Sequence, residues 1–201
     1  MNKNNYEYKY NKYKHKYTQS KILNKYNFFI AHGTMNIDTL KNILNDGYIR
    51  FPKDSGISFF GHVKDDHIYA NIYFKDLNNI GISPFPFYLI LKPKIIFDFN
   101  IDVNKGWGSA KLLTIDKHDP DIESKMDKIY TYVKNPHINP NLDKLLEGSG
   151  FMQHELLFHK NISLQRYLYG IVISKNNTND NIEKLIKKYE GTKIFYSFDS
   201  L

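Results

Sequence analysis

The stretch FFIAHGTMNIDTLKNILNDG, residues 28–47, decides the fold. YNFFIAH, residues 26–32, has strand composition, and its apolar run ends in His32-Gly33-Thr34. Directly afterwards Ile37, Leu40, Ile43 and Leu44 recur at helical spacing. Thr34 or Asn36 can cap the start of that helix, and Gly47 stands where a left-handed stop is wanted. A strand-to-helix turn accounts for a glycine of special φ and a capping threonine. It leaves the imidazole of His32 unexplained. At the end of a sheet, the His–Gly backbone can offer its amide groups to a ligand.

Moving outward, YIRF reads as a short strand, GISFF as another, and KDDHIYANIYF as a helical turn leading into a third. FPFYLILKPKIIFDF reads as two strands joined at Lys92-Pro93. Ile122, Met126, Ile129 and Val133 predict a helix over 121–134, and 141–147 reads as a short helix ended by GSG. FMQHELLF, RYLYGIVIS and KIFYSF are strand-like, with a helix near 179–190 between the last two. The pattern is α+β, with sheet pairing expected toward the C-terminal end.

The 201 residues suit one domain, and 41% hydrophobic with 24% charged residues are globular values. No apolar window approaches the length of a membrane span, and the N-terminus lacks the apolar core of a secretory signal. An intracellular location, cytoplasmic or in a host cytoplasm, is the expectation. With no cysteine, disulfides, thiolate nucleophiles and Cys-ligated zinc are excluded. Arg50 and Arg166 are the only arginines.

Of the formal charge of +7, residues 1–26 carry +6, from seven lysines against Glu7. Residues 27–201 are therefore near neutral, at +1. Residues 1–20, with lysine and tyrosine interleaved, read as a disordered, solvated tail, and 21–201 as a single domain. The functional alternative for residues 1–26 is a nucleic-acid arm, with lysines on phosphates and tyrosines on bases.

HELLFH, residues 154–159, looks like a zinc-protease signature but fails on spacing. That chemistry needs two histidines four apart on one helix face, and these are five apart. HDPD at 118–121 is a polar loop with weak ligand potential, and no metal is expected. Glu155 interrupts an apolar strand, so it must be solvated at a cleft, paired, or simply face outward. By alternation Gln153, Glu155 and Leu157 share one face, which suits two polar groups lining one groove.

Taken in order, these pieces resemble the ADP-ribosyltransferase superfamily, the fold of diphtheria toxin and the poly(ADP-ribose) polymerases. FFIAHGT followed by a helix is similar to the family's first strand, whose His-Gly-Ser/Thr grips NAD. SGISFFGHVKDDHIYA resembles the polymerases' Gly-Ile-Tyr-Phe strand and the short helix after it, with Tyr69 at the spacing of the nicotinamide-stacking tyrosine. QHELLFHKNISLQRYLYGIVI is similar to the strand bearing the catalytic glutamate and the strand after it. Ser58 departs from the pattern by standing where the His–Tyr–Glu group has its first tyrosine. Gln153-His154-Glu155 instead resembles the Gln-x-Glu turn of the arginine–serine–glutamate branch, which has arginine where this chain has His32.

The resemblance implies split, mostly antiparallel β-sheets with flanking helices, and transfer of ADP-ribose from NAD with release of nicotinamide, a glycosyltransferase reaction. It implies Glu155 as the catalytic carboxylate and His32 as a ribose contact. Gly33, Thr34, Ser58 and Tyr69 would bind NAD, and Gln153 would position the acceptor. The acceptor is a protein or a nucleic acid, in that order of expectation, and mono-transfer is expected. Two other readings stay open: a non-catalytic module that binds NAD-like ligands or a protein, and an RNA 2′-phosphotransferase. The scarcity of arginine argues against the last.

Overall fold

The computed structural model describes residues 3–55, 66–77, 85–104, 111–134, 154–173, 180–197 and 200–201. Its centre is β1 (Phe28–Thr34), flanked by β3 (Ile68–Phe74) on one side and β4 (Phe87–Leu91) on the other. Beyond β3 come β7 (His154–Phe158), β5 (Ile101–Asn104) and β6 (Lys111–Ile115); beyond β4 come β9 (Leu168–Ile173) and β10 (Lys193–Phe195). The order is β10-β9-β4-β1-β3-β7-β5-β6, antiparallel throughout except for the β9–β10 pair. A two-stranded sheet pairs β2 (Tyr48–Ile49) with β8 (Ile162–Ser163). The fold is therefore α+β. Pairing draws on the whole chain rather than on its C-terminal end, because the earliest strand lies in the middle of the sheet.

Helices α1 (Lys3–Lys25), α2 (Ile37–Asp46), α5 (Ile122–Lys134) and α7 (Asp180–Ile186) contribute to the main core. Leu40, Leu44, Met126, Ile129 and Ile182 meet Ile30, Ile72, Leu89, Leu156 and Ile171 from alternate strand positions. The opposite sheet face carries a smaller cluster of Phe29, Ala31, Tyr73, Tyr88, Ile90 and Val172. Burial on both faces is why FFIA and FYLIL read as continuous apolar runs instead of alternating ones. The remaining helices, α3 (Pro52–Ser55), α4 (Ile95–Asp98) and α6 (Leu164–Tyr167), are single turns.

Several elements differ from their sequence reading. Residues 3–25 form helix α1 where a disordered tail is expected for 1–20. No glycine or proline interrupts them, and the C-terminal end is anchored by buried Ile22 and by Lys21 and Lys25 pairing with Glu123 and Asp127. IIFD is the buried turn α4 instead of a second strand. A three-residue apolar run has no period of its own, and the bonds from Ile95 N to Lys92 O and Ile96 N to Pro93 O close a helical turn. The strand at GISFF and the helix at 141–147 fall outside the described residues.

α2 is capped at Asn36, whose Oδ1 accepts from Thr39 N at 2.8 Å, and it ends on Gly47 at φ 80°. Thr34 is not the cap; it is the last residue of β1.

The sheet then divides. β1 and β3 pair only as far as Ala31 opposite Asn71. β1 continues with β4 through His32, Gly33 and Thr34. β3 continues with β7 through Ala70, Tyr69 and Ile68. A split thus opens between His32–Thr34 and Ile68–Ala70.

Candidate functional site

His32-Gly33-Thr34 lies inside β1, on one wall of the split. Gly33 has no positive φ, so it does not serve as a turn residue. Its missing side chain is needed for a close approach: a Cβ there would run into the ring of Phe85. The imidazole of His32 reaches the backbone of the other wall, with Nδ1 2.6 Å from the carbonyl oxygen of Tyr69. A carbonyl only accepts, so Nδ1 carries the proton. Burial lowers the His32 pKa below the ordinary imidazole value, against the pull of the Tyr69 carbonyl. The ring is therefore neutral at neutral pH, and Nε2 presents an acceptor lone pair. The Thr34 hydroxyl is buried and has no hydrogen-bond partner among the described residues.

Glu155 is 3% exposed, so the reading of it as an outward-facing strand residue fails. It stands opposite Asn71 of β3, which in turn stands opposite Ala31 of β1. On its other side Asn104 Nδ2 donates to Glu155 Oε2 at 3.0 Å. A buried carboxylate is costly unless polar groups surround it, and this asparagine supplies one. Tyr69 and Leu157, two positions along, form the next rung on the same face, with Asp102 beyond them. Residues paired across strands share a face, so Glu155, Asn71, Tyr69 and Gly33 lie on the side of the smaller apolar cluster. Alternation sends His32 toward the helix-covered side, and its bond to the Tyr69 carbonyl ties the two walls of the split.

The Tyr73 phenol lies on the same face and packs flat against Phe29, ring centroids 5.0 Å apart. Burial and the nearby Tyr88 push its pKa far above the phenol range, partly offset by a hydrogen bond with Asn71, so it stays protonated. Further along, Asp102 is held by Thr114 Oγ1 at 2.7 Å and Lys111 Nζ at 2.7 Å, with His159 Nε2 at 3.4 Å. Burial pushes the Asp102 pKa up, but the Lys111 and Thr114 contacts outweigh it and keep the carboxylate ionised.

HDPD is structural. Asp119 accepts from Asp116 N and Asp121 N at 3.0 and 2.9 Å and pairs with Lys125 at 2.5 Å, ordering the entrance to α5. Among the described residues no group of three or more His, Cys, Asp or Glu side chains is placed to hold a metal ion.

The site residues read from the sequence thus sit on three adjacent strands: His32, Gly33 and Thr34 on β1, Tyr69 on β3, Glu155 on β7. Ser58 and Gln153 fall outside the described residues. Sequence reasoning missed Asn71, Asn104 and Phe85. Asn71 is a polar position in an otherwise apolar strand, the same signal that singled out Glu155, whereas Asn104 ends a strand that alternates apolar and polar residues. Nothing local marks Phe85 as the residue over Gly33.

Residues 25–136 match the profile of a family described as a family of unknown function (DUF5846). The chain is similar to uncharacterized protein R11 of Acanthamoeba polyphaga mimivirus, 37% identical over 183 residues that cover 84% of this chain and 66% of that protein. It is also similar to uncharacterized protein L54 of the same virus, 22% identical over 180 residues that cover 86% of this chain and 92% of that one. Among solved structures, Thermus sp. 2.9 DarT in complex with carba-NAD+ aligns with a TM-score of 0.53 and 14% identity, covering 85% of this chain and 96% of that one. The likeness is one of fold.

Proposed function

The chain belongs to the DUF5846 family of unknown function, and from the cleft itself we propose that it is an NAD-dependent mono-ADP-ribosyltransferase. The observation that carries this reading is the buried Glu155 carboxylate, held by Asn104 beside a split whose other wall offers a neutral His32. In this reading NAD enters between β1 and β3. The nicotinamide–ribose bond breaks with its electron pair leaving on nicotinamide, and positive charge builds on the ribose. Glu155 stabilises that charge and holds the 2′-hydroxyl. The acceptor nucleophile then bonds to C1′ and loses its proton.

Nε2 of His32 accepts from a ribose hydroxyl, and the buried Thr34 hydroxyl is a second ribose contact. The Gly33 backbone clamps the nicotinamide amide, and Tyr69 stacks on the ring. Phe85, which covers Gly33, gives way or stacks as NAD enters. By the resemblance, Ser58 would be a further NAD contact and Gln153 would position the acceptor; both lie outside the described residues. A protein acceptor ranks first and a nucleic acid second. The complex of DarT with an NAD analogue supports NAD as the co-substrate. The viral relatives point to a host cytoplasm as the setting; among the described residues no helix is long and apolar enough to cross a membrane.

The test is incubation of the full chain with radiolabelled NAD, following nicotinamide release and labelled product. Glu155→Gln should keep NAD affinity while turnover falls about 10²–10³-fold. His32→Ala should mainly weaken NAD binding, by about tenfold. A Glu155→Gln protein as active as wild type would overturn the mechanism. Recovery of intact bound NAD with no nicotinamide released would make the chain a binding module instead.

A further inference from the structure

α1 sorts its side chains onto opposite sides. At about 100° per residue, Tyr6, Tyr10, Tyr13 and Tyr17 fall in one stripe roughly 60° wide. They are 76, 61, 69 and 72% exposed, among the most exposed large side chains of the molecule. Directly opposite run His15, Gln19, Ile22 and, just past the helix end, Tyr26. That side faces the body: His15 lies 3.1 Å from His118 and edge-on to Phe97, and Ile22 and Tyr26 are buried in the main core. Lys9 and Lys16 border one edge of the tyrosine stripe and Lys14 the other, all exposed.

Lys21 and Lys25 are taken up by Glu123 and Asp127, but Lys9, Lys12, Lys14 and Lys16 form no ion pair among the described residues. The outer side of α1 is therefore a row of aromatic rings bordered on both edges by unneutralised cations. A second copy of the helix would bring two lysine-bordered stripes together and repel. A polyanion complements the charge. Exposed rings select one whose bases are open for stacking, which a duplex does not offer.

We propose that the tyrosine face of α1 is a docking surface for single-stranded nucleic acid, with Tyr6, Tyr10, Tyr13 and Tyr17 stacking on bases and the flanking lysines meeting phosphates. The stripe spans about 16 Å along the helix, enough for a few nucleotides. This partner surface lies apart from the Glu155 cleft and does not depend on the NAD reading.

The experiment is fluorescence anisotropy of the full chain with a labelled single-stranded oligonucleotide of about 16 nucleotides across a salt series, alongside the matching duplex. Wild type should bind the single strand more tightly than the duplex, with log affinity falling against log salt at a slope near −2, as about three phosphate contacts require. The quadruple Tyr→Ser variant should bind at least tenfold more weakly with an unchanged slope. The quadruple Tyr→Phe variant should bind like wild type. Lys→Gln at residues 9, 14 and 16 should flatten the slope.

Far-UV circular dichroism checks that each variant keeps its helix; loss of helix in Tyr→Ser leaves the Tyr→Phe and Lys→Gln comparisons to decide. Tyr→Ser binding as tight as wild type overturns the proposal. So does equal affinity for duplex, tighter binding to anionic phosphatidylserine vesicles than to the oligonucleotide, or a tyrosine-dependent dimer in sedimentation. NAD turnover measured on the same variants reads the cleft separately, so failure of one reading is distinguishable from failure of the other.

Discussion

His32 and Gly33 are adjacent, yet burial constrains them in different ways. The folded imidazole has a pKa below its unfolded value near 6.5, so the unfolded chain binds the extra proton more readily. His32 therefore lowers stability as pH falls from about 6.5 through its folded value, and has no such effect above. Urea midpoints taken from pH 7.5 down to 5 should fall more steeply for wild type than for His32→Asn; parallel curves would remove the neutral-imidazole assignment. Gly33 is constrained by volume. Gly33→Ala should cost about 1–3 kcal/mol because Phe85 must shift. Phe85→Ala in the same chain should recover much of that loss, a coupling that a thermal-denaturation double-mutant cycle reads directly.

At the scale of elements, the loop before α5 shows how a cluster that resembles a ligand set serves structure. Asp119 is 7% exposed and satisfies two backbone N–H groups and Lys125. Burial pushes its pKa up, but those partners outweigh it and leave it below the ordinary carboxylate value. Asp119→Ala strands Lys125 and both amides, and should destabilise the protein by about 1–3 kcal/mol in urea melts without changing any metal response. The helix periodicity of α5 and the caps of α2 were legible in the sequence because a helix is specified within one or two turns. α4 was not, since three consecutive apolar residues fit a strand or a buried turn equally well. α1 was misread because interleaved Lys and Tyr resemble a solvated tail until the docking of Ile22 and Tyr26 is known.

For the whole molecule, we propose residues 21–201 as one domain with 1–20 as a separable extension. The anchors of α1 cluster at its end: Ile22, Tyr26, and the Lys21 and Lys25 ion pairs. Earlier in the helix, the His15 contacts with His118 and Phe97 tie it to the body. A chain beginning at residue 21 should therefore unfold in one cooperative transition, less stable than the full chain by no more than about 2 kcal/mol. A broad or absent transition would make α1 integral to the domain. The same scale governs the site. Glu155 depends on Asn104, 51 residues away, and on Asn71 of a third strand.

By itself the sequence determined the local matters: the α+β alternation, the strand that starts at Phe28 and the helix behind it, and the shared face of Glu155 and Leu157. Each rests on periods and caps that neighbouring residues carry. Strand order, the point where β1 leaves β3, the bond of His32 to Tyr69 and the burial of Glu155 were decided only in three dimensions. They arise from pairings between distant segments, and a long-range pairing leaves no period in the chain that forms it.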